Sequence, residues 1–156
     1  IWTVSKKNPL QKKKYFYTHK ERIVLSRKIS NNIKKIVVSN YDKKYSYQLI
    51  NLIKKKYKNS QVFFLIGSDN VKYFHKWKRF LQIINICTLV VINRPGYSKE
   101  FKRSFFFKNY SKLMKRTFQN PKIIPQKTWI YISDRGKKIS SSNIKNRLYK
   151  NKEIID

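Results

Sequence analysis

Three short polar clusters in this chain combine residue types that can handle phosphate and ribose. The first is Gly67-Ser68-Asp69, directly after the apolar run 62–66. Glycine lets a ligand approach the backbone closely, and a helix starting there would offer free amides and a dipole that favours anions. Asp69 is one of only seven acidic residues. Its carboxylate could accept hydrogen bonds from ribose hydroxyls, as acidic residues do in dinucleotide sites. The tripeptide reads equally well as an ordinary capped helix start, with Ser68 or Asp69 as the cap. The second cluster is Ser140-Ser141-Ser142, with Lys145 and Arg147 one turn on. Hydroxyls and amides at a helix start, followed by cations, form a phosphate cradle, and the alternative is a capped helix with solvated lysines. The third is Asn8-Pro9, a turn after the strand-like residues 1–4.

Other candidates are weaker. Trp77, in Phe74-His75-Lys76-Trp77, could stack on a planar ring or belong to the core. His75 has no second ligand at metal spacing, and His19 falls in a basic stretch expected to be loop or helix start. Cys87 is the only cysteine and lies in an apolar run, so it reads as a buried, inert thiol. No zinc site is expected, and no Ser-His-Asp, paired-carboxylate or P-loop arrangement can be defended from the sequence.

The elements that must position these clusters alternate. Strands are expected at 1–4, 36–38, 62–66, 88–92 and 129–132, the third and fourth as continuous apolar runs suited to burial on both faces. Helices are expected at 19–29, 47–57, 77–84 and 140–149, with helical pieces across 99–120. This alternation predicts an α/β doubly wound parallel sheet, in which ligands bind at the C-terminal ends of strands. A length of 156 residues fits a single domain, 1–156.

The charge is extreme: 38 Lys and Arg against 7 Asp and Glu, a net +31. That balance suits nucleic acid or an anionic surface. The same composition lacks alanine and holds only 3 Gly and 4 Pro, while residues with A/T-rich codons abound. Compositional drift therefore explains much of the charge. Ten Phe and 11 Tyr argue against a disordered chain. The longest apolar stretch, 81–92, is interrupted by Gln82 and Asn85 and is too short to span a bilayer, so no membrane partner and a cytoplasmic location are expected.

Taken in order, the motifs resemble those of the nicotinate-nucleotide adenylyltransferases, over residues 1 to about 147. Trp2 and Asn8-Pro9-Leu10 match a Trp-bearing strand before an Asn-Pro-Leu turn. Tyr45-Ser46-Tyr47-Gln48-Leu49-Ile50 matches a Tyr-Thr-x-x-Thr-Leu helix start. Gly67-Ser68-Asp69-Asn70, Phe74-His75-Lys76-Trp77 and Arg94-Pro95-Gly96-Tyr97 are intact, and Ser140-Ser141-Ser142-Asn143-Ile144-Lys145 matches a terminal Ser-Ser-Thr-x-(Ile/Leu)-Arg motif. The resemblance implies the nucleotidyltransferase form of the doubly wound sheet and adenylyl transfer from ATP to nicotinate mononucleotide. It implies ATP contacts from Gly67, Asp69, Ser140, Ser141, Ser142 and Lys145. It implies pyridine-nucleotide contacts from Asn8, Ser46, Tyr47 and Trp77, with Mg2+ held mostly by phosphates and water.

The chain departs from the pattern in ways that matter. The family's first strand and its Gly-x-Phe-Asp-Pro-x-His-x-Gly-His loop have no counterpart, so no catalytic residue is assigned and these 156 residues alone are expected to be inactive. An in-frame extension encoding that strand and loop is expected upstream of Ile1. Lysine at 145 keeps the charge of the family's arginine but loses its fork. Leu49 replaces a threonine and Gln11 a lysine. A basic RNA- or DNA-binding protein and an inactive remnant of the enzyme are the other readings. A phosphopantetheine adenylyltransferase fits the motif set less well.

Overall fold

A computed structural model describes residues 1–7, 9, 15–115 and 127–133. They fall into two compact units, Ile1–Ser60 and Gln61–Asp156.

In the first unit, strand β1 (Trp2–Thr3) pairs in parallel with β2 (Val38–Ser39), with helix α1 (His19–Ser30) between them in sequence. Parallel strands require such a crossover. The start of α1 is set by a capping box. The Thr18 hydroxyl accepts from the Glu21 amide (3.3 Å), and the Glu21 carboxylate accepts from the Thr18 amide (2.7 Å) and hydroxyl (2.7 Å). Those bonds, the hydroxyl's first, hold the Glu21 carboxyl below its ordinary range. His19, expected in a loop or at its end, is the first residue of α1, and its Nε2 lies 2.7 Å from the Val4 carbonyl. Arg22 donates to the Ser5 and Lys6 carbonyls at 2.8 and 3.1 Å. The chain leaving β1 is thus tied to α1 by side chains. Helix α2 (Ser46–Lys56) ends in Lys54, Lys55 and Lys56, where cations complement the helix dipole. The strand expected at 36–38 is found at 38–39, because the ladder to Trp2 and Thr3 engages Val38 and Ser39.

The second unit holds a four-stranded, fully parallel sheet in the order β3-β4-β6-β5. Its elements are β3 (Phe63–Gly67), α3 (Ser68–Phe74), α4 (Phe80–Ile86), β4 (Thr88–Ile92), α5 (Ser98–Arg103), α6 (Phe105–Tyr110), β5 (Met114–Lys115) and β6 (Trp129–Ile132). The α/β class with parallel strands is therefore present as the alternation predicted. Central β4 is buried from Thr88 to Val91, as its continuous apolar run requires. β3 differs from expectation. Ile66 is buried, but Phe63 and Leu65 on the opposite face are 38% and 59% exposed. An apolar run shows that a strand can be covered twice, while neighbouring elements determine whether it is.

An aromatic core fills the helix-covered side. Phe74, Phe106 and Trp129 are completely buried. The Phe74 ring meets Trp77, Phe80 and Phe106 edge-on at 5.2–5.9 Å. The Trp129 indole donates to the Tyr110 carbonyl at 2.7 Å, so its one polar atom is satisfied. Each such ring contributes on the order of 1.5–3 kcal/mol by leaving water.

Three boundaries depart from the sequence reading. The cap of α3 is Gly67, not Ser68 or Asp69, whose side chains are engaged elsewhere. The helix expected at 77–84 begins at Phe80, because Arg79 adopts a left-handed conformation (φ 55°) that Trp77 precedes in a turn. Of the helical pieces expected across 99–120, the described part holds α5 and α6, followed by a 3-10 turn, Ser111–Leu113, and β5, which no apolar alternation announced, while 116–120 lie outside the described residues. The helix expected at 140–149 lies outside the described residues.

Candidate functional site

The register of the second sheet aligns its strand ends. Gly67 of β3 pairs with Ile92 of β4, and Ile92 pairs with Ile132 of β6. The ends of parallel strands are where open α/β sheets bind ligands. Helix α3 starts at once from Gly67, and the segment after β4 turns back toward it.

Two hydrogen bonds join those segments. The Arg94 amide donates to the Ser68 hydroxyl at 2.8 Å, and Ser68 is 1% exposed. The Arg94 guanidinium donates through Nη1 to Asp69 Oδ2 at 2.6 Å, a charge-assisted pair that is only partly exposed. Gly67 has an ordinary negative φ, so it is not required by backbone conformation. A Cβ there would meet Asp69 Oδ1, so any larger residue would have to turn the Asp69 side chain aside. The Asp69 carboxylate thus lies over the end of β3, in the space a Cβ at position 67 would take. After Arg94 the chain makes a turn closed by the Tyr97 amide on the Arg94 carbonyl (3.1 Å). Pro95 and Gly96 (φ 92°) occupy its central positions, the arrangement of a type II turn.

Trp77 sits in the turn after α3, with its amide on the Phe74 carbonyl at 3.0 Å. Its half-buried ring meets Phe64 at 6.2 Å and Phe74 at 5.4 Å, both edge-on. The tryptophan is therefore anchored by core rings while part of it remains accessible. The neighbouring His75 ring lies against Phe105 at 5.1 Å.

In the first unit, Ser46 and Tyr47 are the first residues of α2. The Gln48 side chain accepts from the Tyr45 amide at 3.3 Å, and the Tyr45 and Tyr47 rings stack 6.0 Å apart. The same unit carries an open pocket of about 240 Å3 against Arg27, Val38, Ser39, Tyr41 and Tyr57, lined by none of the residues nominated from sequence.

Gly67, Asp69 and Trp77 therefore share one unit, and Ser46 and Tyr47 belong to the other. Asn8, Ser140, Ser141, Ser142 and Lys145 lie outside the described residues. Arg94 is the residue to which sequence reasoning gave no role. One signal pointed to it: an acid-poor chain with a carboxylate at a strand end needs a cation held there. With 38 candidate cations, no pattern could select which.

Among the described residues no group of three His, Cys, Asp or Glu could hold a metal, and no helix is long and apolar enough to cross a membrane. A carboxylate over the end of β3 can accept hydrogen bonds from hydroxyl groups, and a partly accessible tryptophan ring can stack on a planar ring.

The chain matches the family model described as cytidylyltransferase-like over residues 1–147. It is 30% identical over 142 residues to an Aliarcobacter butzleri protein named probable nicotinate-nucleotide adenylyltransferase, covering 84% of this chain and 78% of that protein. It is 33% identical over 116 residues to a Pelagibacter ubique protein of the same name, covering 72% and 63%. To the nicotinate-nucleotide adenylyltransferase of Bacillus subtilis it is 28% identical over 102 residues, covering 59% and 54%.

Proposed function

The chain belongs to the cytidylyltransferase-like family, and from that premise we propose that it serves adenylyl transfer from ATP to nicotinate mononucleotide, giving deamido-NAD and pyrophosphate. A phosphate oxygen of the mononucleotide would bond to the α-phosphorus of ATP as the bond to the bridging oxygen breaks. The observation that carries this reading is the Asp69 carboxylate held over Gly67 at the aligned strand ends. Names of relatives support the same chemistry, and the chain spans between 54% and 78% of those three proteins.

In this reading Gly67 and Asp69 receive the adenosine, and Ser140, Ser141, Ser142 and Lys145 the phosphates. The resemblance gives Asn8, Ser46, Tyr47 and Trp77 the contacts to the pyridine nucleotide, in a cytoplasmic setting. Mg2+ would arrive with the nucleotide, held mostly by its phosphates and water. Such chemistry depends on positioning and charge stabilisation. The 156 residues contain two histidines and no His-x-Gly-His motif. One histidine is on the Val4 carbonyl and the other against Phe105. We therefore expect these 156 residues alone to form no deamido-NAD from ATP, Mg2+ and nicotinate mononucleotide, and clear turnover would refute that part.

Binding tests the site itself. Calorimetric titration with Mg·ATP should show Asp69→Ala costing on the order of 1.5–3 kcal/mol, the range for a hydrogen bond to a charged group. Joint Lys54→Ala and Lys55→Ala should cost a small, salt-sensitive fraction of that. Equal losses would move the assignment away from Asp69. One observation favours a second reading, nucleic-acid binding. Tyr73 is 48% exposed, with the Lys72 and Lys76 ammonium groups 5.5 and 5.6 Å from its ring. Bases stack on such rings while cations meet phosphates. Tight RNA binding with a steep salt dependence, together with indifference of ATP to Asp69, would favour it.

A further inference from the structure

We propose that Arg94 is a positioning residue for nucleoside binding, acting through Asp69; the inference rests on the reading of Asp69 as the ribose acceptor. The geometry is specific. The Arg94 backbone is pinned by its amide on buried Ser68 (2.8 Å), and its guanidinium then reaches Asp69 Oδ2 at 2.6 Å. One carboxylate oxygen is thereby committed. The other, Oδ1, lies over Gly67 where a Cβ would stand, and among the described residues it is approached by Asn70 Nδ2 at 3.5 Å.

The chain's composition makes this clamp necessary. With 38 Lys and Arg against 7 acids, each carboxylate has many possible cationic partners in this sequence. Any of them would draw Asp69 into a loose, mobile pair. An arginine held at both backbone and side chain outcompetes them, because less freedom remains to be lost and its planar fork sets the direction of the carboxylate. Arg94 thus decides where Oδ1 points, and the ligand's hydroxyls meet Oδ1.

A double-mutant cycle in ligand binding tests this. The full chain, Arg94→Gln, Arg94→Lys, Asp69→Asn and the Arg94→Gln/Asp69→Asn pair are titrated calorimetrically with Mg·ATP and with adenosine, folding being checked by circular dichroism. Arg94→Gln and Asp69→Asn should each weaken both ligands on the order of tenfold. The double variant should bind no worse than Asp69→Asn alone, and Arg94→Lys should recover part of the loss. Unchanged affinity in Arg94→Gln overturns the inference while leaving the site standing. So does a loss that persists in the Asp69→Asn background, which means that the guanidinium does not act through Asp69, or one confined to ATP, which means that it meets the phosphates itself. If the wild-type chain binds neither ligand, or Asp69→Asn binds both normally, the reading of the site falls and the inference with it.

Discussion

The two units solve the same problem, holding short parallel strands in register, by different means. The second buries aromatic rings: Phe74, Phe106 and Trp129 pack under strands of four and five residues. The first has strands of two residues and few buried apolar side chains, Val4 and Ile50 among them. It relies on a capping box and on His19 and Arg22 reaching backbone carbonyls. Apolar burial is non-directional and large in sum, whereas capping bonds are directional and individually modest. The difference places the rigid end of the sheet, with Gly67 and Asp69, on the aromatic core. It leaves Ser46 and Tyr47 at the start of a helix whose one buried residue is Ile50.

Core truncation should separate the units most sharply. Trp129→Ala removes a fully buried ring in contact with Phe101, Phe106 and Phe107, and should destabilise the second unit by about 3–5 kcal/mol in urea unfolding. A loss below about 1 kcal/mol would show that the aromatic cluster is not what holds the sheet. Gly67→Ala should come next, because its Cβ meets the Asp69 carboxylate rather than open space. A cost of about 1–3 kcal/mol is expected, appearing as lost stability or as lost Mg·ATP affinity as Asp69 swings away. The same change at Gly96 is a useful contrast: there the room is free and only the positive φ resists.

In the first unit, Thr18→Ala should cost about 1 kcal/mol by removing the cap of α1, well below the Trp129 effect. If the two changes cost the same, the contrast between a ring-packed and a cap-secured unit fails. The smallest expected effect is a pH dependence at Glu21. Its folded carboxyl is held below the ordinary value by the Thr18 hydroxyl, then by the Thr18 amide. Its contribution is therefore full above the unfolded carboxylate pKa and is lost as pH falls through the lowered folded value. Acid titration of Glu21→Gln followed by circular dichroism should lack that component, and an unchanged profile would remove Glu21 from the account.

Much of this arrangement was legible in the sequence because it is local. β4 and β6 fall where β-branched and aromatic runs predict, α1 and α2 where periodicity and turn residues predict, and the Gly67-Ser68-Asp69 step at a strand-to-helix junction. Periodicity and capping act within a few residues, so a single sequence contains them. What tertiary structure decided is what depends on distant partners. The same kind of apolar run became a twice-covered strand at β4 and a half-exposed one at β3, because coverage belongs to the neighbours. Two-residue β5 exists only because β6 offers it a ladder. Asp69 found its partner 25 positions away, in a turn whose Arg-Pro-Gly-Tyr pattern announced a bend but no contact. Among 38 cations, only the folded chain brings the Arg94 amide onto Ser68 and its guanidinium onto Asp69, since a pair across two strand ends is set by sheet register rather than by spacing along the chain.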